Sequence, residues 1–181
     1  HDLKKYGGNR YRIDDRPYGG GPGMVIRAEP VIRAVAAITK RMPKSLPVAR
    51  RARIIILSPG GKEFTNQLAE RWAKPGTPLI LIAGRYEGID ARAKKILKAQ
   101  EISIGNYTVT GGELPALIIL DAVTRRLPGV LGDDQSIEER RIASHEVYTR
   151  PEVITVKGRR YRVPKVLLSG HHQKIDSYRA R

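Results

Sequence analysis

The sequence predicts an α/β domain built on a parallel sheet. Two short aliphatic runs, at 52–57 and 78–83, are each followed by a glycine-containing loop and then by a segment with helical spacing of apolar residues. This alternation is typical of α/β domains, whose parallel strands are buried on both faces. The 181 residues are 40% hydrophobic, which excludes a disordered polycation and fits one domain with a small appendage.

The first half of the chain contains two predicted helices and one strand. Apolar residues from Pro30 to Met42 recur at helical spacing, with proline tolerated in the first turn. The β-branched run 52–57 predicts a buried strand that ends in a tight loop at 58–61. A second helix is expected over about 65–74.

The strand, loop and helix then repeat. The run 78–83 predicts the second strand, which stops at the glycine-containing loop 84–88. A basic helix is expected from Ile89 to Ala99. Its apolar residues Ile96 and Leu97 are predicted to face the core.

The remaining chain becomes less regular. A short stretch at 101–110 leads to a mostly apolar helix, Ala116 to Arg126, which is predicted to be buried. The charge-dense segment Asp133 to His145 is predicted to be a linker. Residues 146–181 contain short extended pieces and many basic residues, which favours an appendage that faces RNA.

The charge of the chain favours a polyanionic partner. The 34 Lys and Arg residues outnumber the 18 Asp and Glu residues, for a formal charge of +16. Such surfaces bind nucleic acids because they release counterions from the phosphates, although a basic surface can also serve solubility alone. The chain has no cysteine, which excludes thiolate chemistry. Its apolar runs are too short to span a membrane, so a cytoplasmic protein is expected.

Three glycine-containing loops form the candidate site. Loops 58–61, 84–88 and 105–112 follow predicted extended segments, and the carboxyl ends of parallel strands meet at one edge of a sheet. Glycine lets the main chain approach a ligand closely, so backbone groups could read a nucleoside. The alternative is that they are ordinary turns. Neither a phosphate-binding P-loop nor a complete dinucleotide fingerprint is present.

Seven segments carry a resemblance to a known family. They are Asp14–Met24, Gly84–Asp90, Ser103–Tyr107, Gly111–Ala116, Leu127–Gly132, Tyr148–Glu152 and Val166–Gly170. In this order they resemble the bacterial tRNA (guanine-N1)-methyltransferases of the TrmD type. The resemblance extends over nearly the whole chain.

The resemblance implies a SPOUT-class fold, an α/β sheet with a deep C-terminal trefoil knot and a small partial C-terminal appendage. It places a knotted S-adenosylmethionine-binding domain at 1–132, an interdomain linker at 133–145 and part of a tRNA-binding domain at 146–181. The family's first strand and its C-terminal continuation are expected to be missing. The resemblance further implies a homodimer with active sites at the interface, which methylates N1 of guanosine 37 in tRNA.

The resemblance also assigns binding residues. The cofactor contacts it implies are Leu57, Ser58, Pro59, Gly84, Tyr86, Glu87, Gly88, Ile104, Gly105, Asn106, Tyr107, Thr108, Val109, Gly111, Gly112 and Pro115. The guanine-facing loop corresponds to Pro22, Gly23 and Met24. A plain turn is the alternative for that loop.

Two catalytic residues follow from the same comparison. Arg125 corresponds to the family arginine that meets the target base, where a guanidinium would stabilise negative charge on the guanine. Its neighbour Arg126 is expected to be solvated or to face phosphate. The family's general base is an aspartate in the linker, but Arg140 occupies that position here. Glu139 is predicted to replace it.

Two alternatives stay open at this point. Glu138 is a second candidate for the base, and both glutamates could merely pair with Arg140 and Arg141. The chain could then be a truncated, catalytically silent RNA-binding protein. The resemblance brings Mg²⁺ as a candidate ion, which the sequence neither supports nor excludes, and no residue cluster has metal-ligand spacing.

Overall fold

The computed structural model describes residues 1–8, 12–43, 52–74, 78–131 and 146–180. The chain divides into two compact units, His1–Val130 and Leu131–Arg181. The sequence-based division at 132, 133–145 and 146 stays a prediction, because residues 132–145 lie outside the described ranges.

The first unit alternates strands and helices in the described part of the chain. In order, the elements are a 3-10 helix (Leu3–Tyr6), β1 (Asp14–Asp15), β2 (Val25–Ile26), α1 (Ala28–Arg41), β3 (Arg53–Glu63), α2 (Asn66–Ala73), β4 (Leu79–Ile82), α3 (Ala91–Leu97), β5 (Gln100–Ser103) and α4 (Glu113–Thr124). β3 lies between β4 and β5 and runs parallel to both. The predicted α/β domain with a parallel sheet is confirmed.

The core lies on both faces of the central strand. Ile54 and Ile56 point to one face, where they pack with residues of α1 and α3. Ile55 and Leu57 point to the other face, where they pack with residues of α2 and α4. Because side chains alternate along a strand, one apolar run supports two helical layers.

Two local predictions were wrong. The strand at 52–57 does not end there, because β3 continues to Glu63 and its register shifts between Leu57 and Lys62. The predicted tight loop is therefore a bulge of four residues, 58–61. In α3, Leu97 packs against the core as predicted, but Ile96 is 62% exposed.

The apolar helix α4 is only partly buried. Ile119 and Val123 lie in the core, as predicted for this segment. Four large side chains are instead exposed, namely Leu114, Leu117, Ile118 and Leu120. The helix is apolar on nearly all sides, so its hydrophobic pattern could not identify which side faces the sheet.

The second unit contains a hairpin and two short helices. β6 (Val153–Val156) pairs antiparallel with β7 (Arg159–Arg162), and α5 (Lys165–Leu168) and α6 (His172–Arg179) follow. The connection Lys157–Gly158 has positive φ at both residues, as a type I′ hairpin turn requires. The described residues of this unit have no buried side chain, and the hairpin carries an exposed row of basic residues.

The burial of β3 predicts how much stability is lost when one of its core side chains is shortened. Ile55→Ala is expected to lower the free energy of unfolding by about 2–5 kcal/mol, because Ile55 is 0% exposed and its removal leaves a cavity. Ile96→Ala is the matched control and should change it by less than about 0.5 kcal/mol. Urea denaturation of both variants measures this. Equal losses would contradict the burial described for these two isoleucines.

Candidate functional site

A cleft of about 430 Å³ opens at the carboxyl ends of the three parallel strands. The three glycine-containing segments predicted from the sequence converge on it. Of the sixteen predicted cofactor contacts, fourteen line the cleft, and they are Leu57, Ser58, Pro59, Gly84, Tyr86, Glu87, Gly88, Ile104, Tyr107, Thr108, Val109, Gly111, Gly112 and Pro115. Gly105 and Asn106 belong to the same third segment but do not line the cleft.

The first wall of the cleft is the bulge in β3. Leu57 and Lys62 are both paired with Ile102, so the four residues between them protrude from the sheet. Gly61 closes this bulge against β5, where an added Cβ would lie 2.5 Å from the backbone nitrogen of Ile102. Only glycine allows this approach without a shift of the backbone.

The second wall is the loop 84–88, which β2 holds in place. The backbone N–H of Ile26 donates to the carbonyl of Gly88 at 2.9 Å, and the N–H of Glu87 donates to the carbonyl of Met24 at 3.0 Å. Tyr86 adopts a left-handed conformation with φ of 61°. Non-glycine residues rarely adopt it, and such positions cluster at functional sites.

A buried serine shapes the third segment. The Ser103 hydroxyl donates to the carbonyl of Gly105 at 2.8 Å and accepts from its N–H at 3.2 Å. Gly105 has φ of +153°, and an added Cβ there would lie 2.5 Å from the ring of Tyr107. Ser103 therefore fixes the turn that carries the chain from β5 over the cleft.

Two contacts join the second and third segments. The N–H of Gly112 donates to the carbonyl of Gly84 at 2.8 Å. Beside it, Nε of Arg85 donates to Oε1 of Glu113 at 2.7 Å, and this bond lowers the pKa of the Glu113 carboxyl below its usual range. The two side chains are 60% and 50% exposed, so the ion pair contributes at most about 1 kcal/mol. The cleft is thus assembled mainly by the backbone.

The guanine-facing loop predicted at Pro22, Gly23 and Met24 adjoins the cleft without lining it. Met24 is bonded to Glu87, as described above. Gly23 lies so close to the Glu87 side chain that an added Cβ would be 2.5 Å from its carboxylate oxygen. The structure therefore brings this loop to the rim of the cleft through one shared residue.

The predicted catalytic residues do not meet at the cleft within the described part of the subunit. Arg125 caps the far end of α4, whose first turn contributes Pro115 to the cleft. At 1.5 Å per residue, the ten positions from Pro115 to Arg125 separate the two by roughly 15 Å along the helix. Glu139 and Glu138 lie outside the described residues.

The expectation for Arg126 was wrong. This side chain is half-buried, and its guanidinium donates to Oδ1 of Asn66 at 2.9 Å. Because Asn66 is the first residue of α2, Arg126 joins the ends of two helices on the same face of the sheet.

Sequence reasoning missed two residues at the site and one in the loop beside it. Arg85 and Ser103 stood inside recognised motifs, but their partners Glu113 and Gly105 are known only from the fold. Tyr18 is fully exposed in the glycine-rich loop between β1 and β2, where it follows Pro17 and precedes Gly19. An aromatic residue in a run of glycines is a signal that could have identified it.

The described residues form neither a metal site nor a membrane-spanning helix. No three His, Asp or Glu side chains in those ranges are grouped as a metal site requires. In the same ranges, the helices are all too short or too polar to cross a bilayer.

Comparisons with known proteins identify the family that this chain resembles. The family model described as tRNA (guanine-1)-methyltransferase TrmD matches residues 1–181. The chain is similar to proteins named tRNA (guanine-N(1)-)-methyltransferase from Alkaliphilus oremlandii, with 43% identity over 98% of this chain and 71% of the relative. A protein of the same name from Moorella thermoacetica is 45% identical over 98% of this chain and 69% of the relative. One from Dehalococcoides mccartyi is 41% identical over 99% and 70%.

The close contact at Gly112 predicts an intolerance to any side chain. In Gly112→Ala the new Cβ would lie 2.7 Å from Cα of Ala83, so the backbone must shift, and the free energy of unfolding should fall by about 1–3 kcal/mol. Gly60→Ala is the matched control, because no atom lies within 4 Å of its added Cβ. That variant should be unchanged or stabilised by up to about 1 kcal/mol. Urea denaturation of both variants measures these changes. An unchanged free energy of unfolding in Gly112→Ala would contradict the close approach of Gly112 to the backbone of Ala83.

Proposed function

The chain belongs to the TrmD family of tRNA (guanine-1)-methyltransferases, and on that premise we propose that it transfers a methyl group from S-adenosylmethionine to N1 of guanosine 37 in tRNA. One observation carries the proposal. Three backbone segments meet in a cleft at the carboxyl ends of parallel strands, in a chain that the family model matches throughout.

The cleft suits S-adenosylmethionine in its chemistry. Its walls are main-chain segments with glycine at the closest approaches, which can offer N–H and C=O groups to an adenine and a ribose. A carboxylate such as Glu87 can accept hydrogen bonds from ribose hydroxyls. All sixteen predicted contacts are proposed, including Gly105 and Asn106, whose segment borders the cleft. S-adenosylmethionine supplies the electrophilic methyl group when bound.

The loop at Pro22, Gly23 and Met24 is proposed to receive the target guanine. Chemistry on a base requires that the base leave the stack, and an extruded base needs a surface beside the methyl donor. This loop lies at the rim of the cleft, bonded to Glu87. The exposed Tyr18 ring in the same loop offers a surface on which an unstacked base can lie.

Arg125 is proposed to act on the guanine bound at the cleft of a second copy. Arg125 lies roughly 15 Å along α4 from Pro115 at the cleft of its own subunit, which is too far for direct contact. The exposed Leu114, Leu117 and Ile118 of α4 form an apolar face of the kind that marks protein interfaces. The presence of this exposed face supports the proposed homodimer with active sites at the interface, because two copies could bury it against each other.

Glu139 is proposed as the general base. A neutral guanine N1 is a weak nucleophile, and a carboxylate that takes its proton accelerates transfer by roughly 10²–10⁴-fold. As the proton leaves, negative charge develops toward O6, where the Arg125 guanidinium would stabilise it. The bond from N1 to the methyl carbon forms as the bond from that carbon to sulfur breaks. The proton remains on the carboxylate.

The finer features of the fold belong to the same proposal. We propose a trefoil knot in the C-terminal part of the domain 1–132, on the ground of the family to which the chain belongs. The same proposal includes the linker 133–145 and the tRNA-binding region 146–181. No described cluster of carboxylates supports a Mg²⁺ site, so no step is assigned to that ion.

Label transfer tests the proposed reaction. Methyl-labelled S-adenosylmethionine is incubated with two tRNA transcripts that differ only in guanosine or adenosine at position 37. Incorporation is expected with guanosine alone, because only guanine presents the N1 proton that the carboxylate removes. The Glu139→Gln variant should lose roughly 10²–10⁴-fold in rate and keep its cofactor affinity.

Each other outcome has a distinct meaning. Equal incorporation into both transcripts would exclude N1 of guanosine 37 as the target. An unchanged rate in Glu139→Gln would remove that residue from the mechanism. Absence of transfer with cofactor binding intact would favour a silent RNA-binding chain, the alternative that Arg140 in the family's aspartate position supports.

Mixed dimers test the shared active site. Arg125→Ala and Gly112→Val are each expected to be inactive, since one lacks the guanidinium and the other a formed cleft. In an equal mixture that exchanges subunits, half of the dimers combine one intact cleft with one intact arginine. Activity should return to about one quarter of the wild-type level. If Arg125 served its own subunit, the mixture would stay inactive.

A further inference from the structure

The two helical layers of the first unit differ sharply in charge. The 3-10 helix, α1 and α3 lie on one face of the sheet and together carry eight basic residues and one acidic residue. On the opposite face, α2 and α4 carry one basic residue and three acidic ones. We call the first of these faces the basic layer.

The basic residues of this layer come from three segments that contact one another through α1. Arg33 and Lys40 are exposed on α1, and Lys95 is exposed on α3, which packs against α1. The Arg33 guanidinium donates to the carbonyl of Tyr6 at 3.4 Å, so the 3-10 helix with its lysines is held beside α1. The charges thus come from three segments that the fold brings together.

Most of these charges are not neutralised by neighbours. Arg92 is bonded to Asp90 at 2.9 Å, and Lys94 pairs with Glu101 at 2.6 Å. The one acidic residue of the layer, Glu29, pairs with Arg27. Among the described residues, no carboxylate lies within ion-pair distance of the other six basic residues, which are Lys4, Lys5, Arg33, Lys40, Arg41 and Lys95.

The basic layer begins at the cleft. Ala91 and Lys94 of α3 line the cleft, and the helix leads away from it toward Leu97. A polyanion with one nucleotide at the rim can therefore continue over α3 and α1. Ile96 is the single large apolar side chain that the described elements of this layer expose, whereas helices that bind membranes present an apolar face.

We propose that the basic layer binds backbone phosphates of the tRNA outside the target nucleotide. The inference rests on the proposed function, because it takes the polyanion to be the tRNA substrate. Contacts of this kind carry no sequence information and fix the position of the RNA, so they would orient the anticodon stem relative to the cleft. Each contact releases counterions and makes the affinity depend on salt.

Charge removal on matched faces tests this surface. The layer variant is Lys40→Gln with Lys95→Gln, and the control is Arg71→Gln with Lys74→Gln at the end of α2 on the other face. None of the four side chains lines the cleft, and all four are exposed residues at or beside a helix C-terminus. Binding of a fluorescent tRNA transcript is measured by anisotropy at several salt concentrations without cofactor.

In the layer variant, log affinity should fall less steeply with log salt, with a slope smaller in magnitude by about 1.5. Its tRNA binding should be about tenfold weaker at 0.15 M salt. The control should match the wild type, and both should bind S-adenosylmethionine normally, which reports an intact fold. An unchanged layer variant, or an equal loss in the control, would overturn the proposal. A third outcome would assign the surface to membranes instead. In that case the wild type and the control bind phosphatidylserine vesicles, the layer variant does not, and the tRNA affinity of all three is the same.

The outcome is separable from that of the proposed function. Methyl transfer by the wild type with no change of tRNA affinity in the layer variant would overturn this inference alone. A loss of affinity confined to the layer variant, with no transfer by the wild type, would overturn the proposed methyltransferase and leave the surface as an RNA contact.

Discussion

Burial of β3 on both faces is the constraint on which the rest of this protein depends. Its apolar side chains alternate between the layer of α1 and α3 and the layer of α2 and α4, so one strand belongs to both cores. Since β4 and β5 run parallel to it, all three strands deliver their following segments to the same edge. The position of the cleft is a consequence of that arrangement rather than of any particular side chain at the site.

The site itself is made by main-chain contacts at glycine positions. Gly61 approaches the backbone of β5, and Gly112 approaches the backbone of Ala83 and Gly84. Such contacts cannot adjust as a flexible side chain can, so the three walls keep their relative positions. A rigid frame of this kind suits a reaction in which orientation of two substrates contributes on the order of 7–11 kcal/mol.

Local patterns predicted the helices and central strands well, because apolar periodicity is recorded in each segment. Local patterns failed for features that are determined by residues distant in the sequence. The bounds of β5 were not predicted, because Gln100 and Glu101 lack an apolar signal and the pairing of the strand with β3 defines them. The bulge at 58–61 is defined by the register in which β3 pairs with β5, and the local sequence does not record that register. Arg125 was identified by resemblance alone. Its distance from the cleft follows from the length and direction of α4, which only the structure provides.

The exposed apolar face of α4 and the basic layer lie on opposite sides of the sheet, and their separation has a consequence for assembly. In the proposed homodimer, two copies paired through α4 would direct their like charges outward, away from each other. Self-association would then rest on apolar burial, which salt does not screen and kosmotropic salts strengthen. Capture of a polyanion would weaken under the same conditions. Ionic strength would therefore regulate what the assembly binds without dissociating it.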